Sequence, residues 1–190
     1  MSDEVVHVID DDDAVRESLS FVLDSAGLTA RTYESAAAFL AAIQAGVSGC
    51  IVTDVRMPEM NGLELVRKLQ GMGVVLPVIV ITGHGDVPLA VEAMKAGVLD
   101  FLEKPFDDEV FLNAVNSALD SGARNLQAEA ERARFQAMLS SLSPREAEVL
   151  RGVIDGKSNK LIARELGISP RTVEVYRAHV MSKTGCAGLS

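Results

Sequence analysis

The sequence is poor in aromatic residues and contains no long apolar run. Aromatic residues make up 4% of the 190 residues, whereas 48% are hydrophobic. This balance is typical of a globular chain with an aliphatic core and excludes a disordered one. No apolar run approaches the length of a membrane span, and the first residues are acidic where a secretory signal would be basic.

Cysteine is also scarce. Cys50 and Cys186 are the two cysteines, and they lie far apart and match no metal-binding spacing. The sequence therefore predicts neither a disulfide framework nor a zinc site. We expect a reduced, cytoplasmic protein with no membrane partner.

Charge is distributed unevenly along the chain. Residues 1–120 hold 7 lysines and arginines against 20 aspartates and glutamates, whereas residues 141–190 hold 8 against 5. The stretch between them, 121–140, is nearly balanced, with 3 against 2. An acidic front and a basic tail predict two domains with different partners.

Short aliphatic runs alternate with helical patterns through the first 120 residues. The predicted strands are VVHVI (5–9), LTARTY (28–33), CIVT (50–53), PVIVIT (77–82) and LDFLE (99–103). The predicted helices between them include an alanine-rich one over 35–46. Strands and helices that alternate at this spacing predict a doubly wound α/β fold, with five parallel strands covered by helices on both faces.

Reactive groups in such a sheet collect at the carboxyl ends of the strands. The polar residues at these ends are Asp10, Asp11, Asp54, Thr82 and Lys104. Clustered carboxylates suit a hard divalent cation such as Mg²⁺, while a lysine and a hydroxyl suit phosphate oxygens. Asp54 is the natural nucleophile, because it lies in the middle of the sheet and a carboxylate can accept a phosphoryl group as an acyl phosphate.

The stretch HVIDDDDAVRES (7–18) crowds four aspartates after the first predicted strand. Like charges this close repel each other, so a positive group should lie nearby or most of the four should face water. We expect Asp10 and Asp11 to belong to the site. Asp12 and Asp13 begin the next helix, where negative charge is favourable, and Asp13 is the expected cap.

Four motifs follow one another in order: IDD (9–11), VTDVRMP (52–58), ITGHGD (81–86) and FLEKPF (101–106). Together they resemble the receiver domain of two-component response regulators, and TGHGDVPLAVEAMKAG is most similar to the FixJ subgroup. The resemblance implies the strand order 2-1-3-4-5 and a phosphoacceptor at Asp54.

The same resemblance implies roles for the neighbouring residues. Mg²⁺ (or Mn²⁺) would be bound directly by Asp11, through water by Asp10, by Asp54, and by the backbone carbonyl of Arg56. Thr82 and Lys104 would contact the phosphoryl group, and Phe101 would be the switch aromatic. From their places in these motifs, we expect Arg56 and His84 to flank the path of water and tune the lifetime of the acyl phosphate.

The basic tail, 141–190, predicts three helices. Ser143 and Pro144 form a helix start that Glu146 supports, and Gly167 marks a tight turn before a longer helix that begins at Pro170. A short helix, a turn with glycine and a longer helix make a helix-turn-helix. Residues 121–140 read as a helical, partly solvated linker, with a flexible tether as the alternative.

The last predicted helix has two faces. Val173, Tyr176, Val180 and Thr184 form the face expected to pack inward. Base edges are expected to meet the opposite face, made of Arg171, Glu174, Val175 and Ala178. Phosphate contacts are expected from Lys160, Thr172, Arg177 and Lys183.

Composition alone leaves two interpretations of this tail equally open, a DNA-binding surface and the ordinary basic face of a small bundle. The order SPRE, SNKLIA, LGIS and RTVEVY resembles the LuxR-type output domain, which implies DNA binding. LuxR-type domains continue into a fourth helix, so we expect an output domain that lacks its last helix.

These expectations combine into a phosphorylation-controlled transcriptional regulator. A sensor histidine kinase would donate a phosphoryl group to Asp54, and a homodimer would then bind promoter DNA and meet RNA polymerase. The chain would be no enzyme beyond Mg²⁺-dependent self-phosphotransfer and autodephosphorylation. Two alternatives are a phosphatase of the haloacid dehalogenase type, which needs an acid where Arg56 stands, and a DNA-binding protein that never uses phosphate.

Overall fold

Five strands form one parallel sheet in the computed structural model, which describes residues 5–43, 47–83 and 87–185. They are β1 (Val5–Ile9), β2 (Thr29–Tyr33), β3 (Gly49–Asp54), β4 (Val78–Thr82) and β5 (Asp100–Glu103). Their order is β2-β1-β3-β4-β5, and every neighbouring pair is parallel. The predicted α/β fold class and the implied strand order are both confirmed.

Helices cover both faces of the sheet. They are α1 (Asp13–Ser25), α2 (Ala36–Ala42), α3 (Gly62–Gly71), α4 (Val87–Lys95) and α5 (Asp108–Ser140). One core joins the sheet to α1 and α5 around Leu23 and Phe111, and the other joins it to α2, α3 and α4 around Phe39 and Leu65. Because both faces are covered, β1 and β4 are buried along their whole length and read as continuous apolar runs.

The prediction for α2 was too long. The helix begins after Ser35, whose side chain accepts a hydrogen bond from the Ala38 amide, and it ends at Ala42. Ile43 already has extended backbone, with ψ 127°. A run of alanines favours helix formation, but helix propensity alone does not determine the residue at which the helix ends.

The last helix of the sheet unit is long and changes character along its length. Its buried residues lie between Phe111 and Gly122, whereas residues 123–137 are exposed. The chain divides into two compact units, 1–126 and 127–190, so the division falls within α5. In the described part of the chain, no helix is both long enough and apolar enough to cross a membrane.

The second unit contains α6 (Pro144–Ile154), α7 (Asn159–Leu166) and α8 (Pro170–Thr184). Its small core consists of Val149, Ile162, Ala163 and Val173. The turn between α7 and α8 is closed by Gly167, whose φ of 66° is left-handed and therefore favours glycine. The all-helical second domain with a helix-turn-helix is confirmed.

Candidate functional site

The parallel register places Asp10 beside Asp54 at one end of the sheet. Ile9 pairs with Thr53, so the next residues on the two strands are Asp10 and Asp54. On the other side Thr82 pairs with Glu103, the residue before Lys104. Strand register thus brings together residues that are far apart in the sequence.

Lys104 joins the two aspartates. Its Nζ lies 3.0 Å from Asp10 Oδ2 and 3.0 Å from Asp54 Oδ1. The exposed fraction is 4% for the Asp10 side chain, 12% for Asp54 and 26% for Lys104. Two largely buried carboxylates therefore share a single lysine.

The protonation of Lys104 follows from these contacts. Burial disfavours its charge and would lower its pKa, but hydrogen bonds and Coulomb attraction from Asp10 and Asp54 outweigh burial and raise it. Lys104 is therefore charged at neutral pH and cancels one of the two negative charges. The remaining negative charge favours a further cation at this end of the sheet.

Asp54 is held by its own loop. Its Oδ2 accepts a hydrogen bond of 2.6 Å from the Arg56 amide. The chain then returns, because the Gly62 amide donates to the Val55 carbonyl at 3.0 Å. A Cβ on Gly62 would lie 2.3 Å from the Asp54 carbonyl oxygen, so only glycine allows α3 to start this close to Asp54. This requirement for glycine at position 62 is not visible in the sequence alone.

Thr82 and Phe101 lie on the two strands beyond β3. Thr82 ends β4 and is 1% exposed, and its carbonyl accepts a hydrogen bond of 2.7 Å from the Lys104 amide. Phe101 pairs with Val80 and is half-buried. The Lys104–Pro105 peptide bond is cis. The His84 prediction lies outside the described residues.

The four aspartates after β1 have different partners. Asp12 is the helix cap, because its side chain accepts hydrogen bonds from the Ala14 and Val15 amides. Asp13 is the first residue of α1, so the prediction that Asp13 caps this helix was wrong. Asp11 is exposed, and only Asp10 is buried. The repulsion among the four carboxylates is thus relieved by water, by the amino terminus of α1, and by two cations, Lys104 and Arg16.

Arg16 was missed by the sequence analysis. Its guanidinium donates one hydrogen bond to the Asp10 carbonyl at 2.6 Å and another to the Asp13 carboxylate. The spacing of three residues between Asp13 and Arg16 on a helix could have suggested the ion pair. The bond to the Asp10 carbonyl had no such signal, because periodicity does not show where a long side chain bends back.

The donor set at this end of the sheet fits a hard cation. Among the described residues, no group of three histidine, cysteine, aspartate or glutamate side chains is arranged to hold a metal ion. Mg²⁺ does not need such a group, since it keeps several waters and takes one or two carboxylates. The excess negative charge of Asp10 and Asp54 over Lys104 and the exposed Asp11 carboxylate meet that requirement.

The second unit carries the predicted DNA-reading face on α8. Val173 and Val180 are buried, and Tyr176 and Thr184 are half-buried, as expected of the inward face. The residues predicted to meet base edges are all exposed: Arg171, Glu174, Val175 and Ala178. Lys160 is also exposed, on α7.

Three of the predicted phosphate contacts have partners within the unit. The Thr172 hydroxyl lies 2.8 Å from the Ser169 hydroxyl, and Arg177 donates to Asn159 Oδ1 at 2.9 Å. Lys183 Nζ lies 2.6 Å from Glu146 Oε2 and 3.2 Å from the Ser141 carbonyl. Because its ammonium already binds two oxygens, Lys183 is less available to phosphate than the sequence analysis assumed.

Glu146 links the start of α6 to the end of α8. It completes the predicted capping box with Ser143, and its side chain is only 5% exposed. The hydrogen bond from Lys183 and the bond from the Ser143 amide lower the pKa of Glu146 to about 2. His179 Nδ1 lies 3.7 Å from the other carboxylate oxygen. Glu146 thus joins two helices through its contacts with Ser143, Lys183 and His179, whereas the sequence predicted only its capping role.

Comparisons with known proteins agree with both units. The family described as response regulator receiver domain matches residues 6–116, and the family described as bacterial regulatory proteins, luxR family, matches residues 140–190. The transcriptional regulatory protein FixJ of Azorhizobium caulinodans is 57% identical over 187 residues, which cover 97% of this chain and 87% of that protein. FixJ of Rhizobium meliloti is 50% identical over 184 residues, which cover 96% and 90%.

Solved structures lead to the same family. The response regulator StyR superposes with a TM-score of 0.90 at 41% identity and covers 98% of this chain and 94% of its own. Full-length FixJ from B. japonicum gives a TM-score of 0.62 at 49% identity and covers 100% and 93%. The chain therefore belongs to the two-component response regulators of the FixJ subgroup, in which a receiver domain precedes a LuxR-type output domain.

Proposed function

We propose that a sensor histidine kinase phosphorylates this regulator on Asp54 and that phosphorylation promotes dimerisation and DNA binding. A receiver domain implies a histidine kinase as partner, and a LuxR-type domain implies DNA. The observation that carries the proposal is the bridge from Lys104 to Asp10 and Asp54 at the carboxyl end of the sheet. A nucleophile, a cation for phosphate oxygens and an excess negative charge meet there.

The transfer step follows from this arrangement. A carboxylate oxygen of Asp54 attacks the phosphorus of a phosphohistidine, the P–N bond breaks, and the imidazole leaves with the electron pair. Lys104 and the Thr82 hydroxyl stabilise the transferred phosphoryl oxygens. Mg²⁺ (or Mn²⁺), held by Asp11, Asp54 and the Arg56 carbonyl with Asp10 acting through water, would neutralise charge on the phosphoryl group.

Two residues are assigned to control the lifetime of the acyl phosphate on Asp54. Arg56 is exposed and follows Asp54 by two residues, and His84 follows Thr82 by two residues. Their size and charge would control the approach of water. Decay rates of the phosphorylated chain in Arg56→Ala and His84→Ala should differ from the parent rate, and identical rates would contradict the assignment.

The switch is proposed to run from Thr82 and Phe101 to the face of the receiver built from α4, β5 and α5. Several large apolar side chains are exposed on or next to these elements, which supports a surface that pairs with a second receiver: Val91, Met94, Leu99 and Val110. Contiguous apolar surface on a monomer commonly marks an interaction site, so these side chains are candidates for the contact.

The division of labour follows the chain. We assign residues 1–120 to the receiver, 121–140 to a helical linker and 141–190 to the output domain. In the output domain, the exposed face of α8 would read bases in the major groove, with Arg171, Glu174, Val175 and Ala178 as readers. Lys160 and Thr172 would contact phosphates, with smaller contributions from Arg177 and Lys183. Promoter DNA and RNA polymerase are then its partners in the cytoplasm.

The test is phosphorylation without a kinase. Acetyl phosphate or beryllofluoride with Mg²⁺ is added to the parent chain and to Asp54→Asn, and sedimentation and binding to a palindromic DNA site are measured. The parent should dimerise and bind more tightly, and the Asn variant should not respond. An equal response of both chains would contradict Asp54 as acceptor, and phosphorylation without any change in binding would contradict the switch.

A phosphatase of the haloacid dehalogenase type is not supported. That chemistry needs a carboxyl group two residues after the nucleophile to act as general acid. Arg56 stands at that position, and its guanidinium does not release a proton at neutral pH.

A further inference from the structure

Asp10 is anchored at every polar group it has. Its amide donates to the Tyr33 carbonyl at 3.2 Å, and its carboxylate accepts from the Asp12 amide at 2.9 Å and from Lys104. The remaining group is the main-chain carbonyl, which accepts from Arg16 Nη1 at 2.6 Å. Four bonds to four different residues therefore define the position of Asp10.

Arg16 is unusual among the arginines of the receiver. Its side chain is only 13% exposed, whereas that of Arg67, which pairs with Glu92 across α3 and α4, is 54% exposed. The second guanidinium nitrogen of Arg16 binds the Asp13 carboxylate, so both ends of the planar fork are used. The guanidinium is thus fixed between the Asp10 carbonyl, which directly follows β1, and the Asp13 side chain in the first turn of α1.

The carbonyl that Arg16 holds belongs to the peptide between Asp10 and Asp11. A peptide group is planar, so fixing its oxygen also fixes the direction of the Asp11 amide and the starting point of the Asp11 side chain. Arg16 therefore constrains two neighbouring carboxylates without touching either of them.

We propose that Arg16 is a positioning residue for the cation site, and that it holds the Asp10–Asp11 peptide in the orientation that presents both carboxylates to a divalent cation. The inference rests on the cation site of the proposed function. Substitution of a residue that orients metal ligands commonly lowers metal affinity by about 10- to 100-fold.

Charge and position make opposite predictions for Arg16. A guanidinium near a cation site repels Mg²⁺, so a purely electrostatic role predicts tighter Mg²⁺ binding when the arginine is removed. A positioning role predicts weaker binding, because the carboxylates lose their fixed orientation. The sign of the change in affinity separates the two.

The experiment is calorimetric titration of the full unphosphorylated chain with Mg²⁺ alone. We expect Arg16→Ala to weaken binding about tenfold. Arg16→Lys keeps the charge but loses the fork, so it should weaken binding less. Arg67→Ala is the matched control, because it removes one arginine and one ion pair from the same domain. It should bind Mg²⁺ like the parent.

A second readout needs no metal. The Asp12 amide, which donates to Asp10 in the parent, should exchange its hydrogen faster in Arg16→Ala than in Arg67→Ala when exchange is followed by NMR. Thermal unfolding in the presence of a chelator checks that each variant is folded. If Arg16→Ala does not fold, Arg16→Lys decides the question by the same two measurements.

The outcomes are distinct. Unchanged or tighter Mg²⁺ binding by a folded Arg16 variant overturns the positioning role and leaves the proposed function intact. A parent chain that binds no Mg²⁺ contradicts the cation site itself. In that case the role of Arg16 for the cation site is overturned together with the site, and faster Asp12 exchange in the variant would show only that Arg16 holds the Asp10–Asp11 peptide.

Discussion

The two functional regions of this regulator are built in opposite ways. At the acidic end of the receiver sheet, Lys104 binds partners that lie 94 and 50 residues earlier in the chain. On α8 the four proposed base readers all lie within residues 171–178 of a single helix. The first region exists only after the sheet has formed, whereas the second needs only one helix with its inner face buried.

This difference has consequences for substitutions. Asp10, Asp54 and Lys104 share bonds, so the effects of changing them are coupled rather than additive. Within the described part of the chain, the structure records no hydrogen bond or ion pair that joins one exposed α8 side chain to another. Their contributions to DNA binding should therefore be separable, each affecting its own base or phosphate.

The largest expected effect comes from Asp54→Asn in the receiver. Incorporation of phosphate from acetyl phosphate should fall to background, because the amide cannot form the acyl phosphate. The fold should persist, since the remaining amide oxygen can still accept from one of the two donors that bind Asp54 in the parent, the Lys104 ammonium or the Arg56 amide. Phosphate incorporation and thermal unfolding are measured beside Asp24→Asn, an exposed aspartate on α1. Normal phosphate stoichiometry on the Asn variant would show that another residue is the acceptor.

The next prediction tests whether the residues of the output domain contribute separately to DNA binding. Glu174→Ala should relax base preference, with a loss of discrimination of about 1–3 kcal/mol at one position. Lys160→Ala should weaken binding to all sequences and reduce the slope of log affinity against log salt by about 1. Competition binding with single-base variants of one site at several salt concentrations distinguishes them. The reverse pattern would place a different face of the domain in the groove.

A smaller effect concerns the acid stability of the output domain. The folded pKa of Glu146 is about 2, below its ordinary value of 4.5, so its stabilising contribution is present above pH 4.5 and is lost as pH falls from 4.5 through 2. Glu146→Gln should remove this part of the pH dependence.

Hydrogen exchange of peptides from the output domain, at pH values between 2 and 6, measures the effect separately from the receiver. Glu148→Gln, a partly exposed neighbour that pairs with Arg145, is the control. If the parent and Glu146→Gln lose protection in parallel over this range, the bond to Lys183 does not stabilise the domain.

The smallest effect lies within the receiver at His7. Burial lowers the pKa of His7, a nearby Arg31 lowers it further, and a contact with Ser48 partly opposes the shift. His7 is therefore neutral in the folded chain at neutral pH, and the receiver should lose stability as pH falls below 6.5. His7 Nδ1 lies 3.2 Å from the Tyr33 hydroxyl.

His7→Phe should flatten this acid dependence, because an aromatic ring can still pack against Tyr33 and Phe39. Hydrogen exchange of receiver peptides between pH 5 and 8 tests it. If protection falls with pH equally steeply in the variant and the parent, protonation of His7 does not contribute to the loss of receiver stability in acid.

Sequence patterns predicted the strands almost to the residue. β1 matches its predicted range, and β4 begins one residue later than expected. Buried parallel strands are short apolar runs bounded by polar residues, and this signal is local. The same locality explains the capping box at Ser143 and the turn at Gly167, which depend on residues a few positions apart.

The side chains at the strand ends and the outward face of α8 can be predicted from the amino-acid pattern, because both follow from the period of a single element. In contrast, the bond from Arg16 back to the Asp10 carbonyl and the bond from Lys183 to Glu146 are visible only in the folded chain. The same is true of the need for glycine at position 62, because there the start of α3 meets the backbone of Asp54. Long side chains and close backbone approaches depend on distances between elements, and no periodicity within one element encodes those distances.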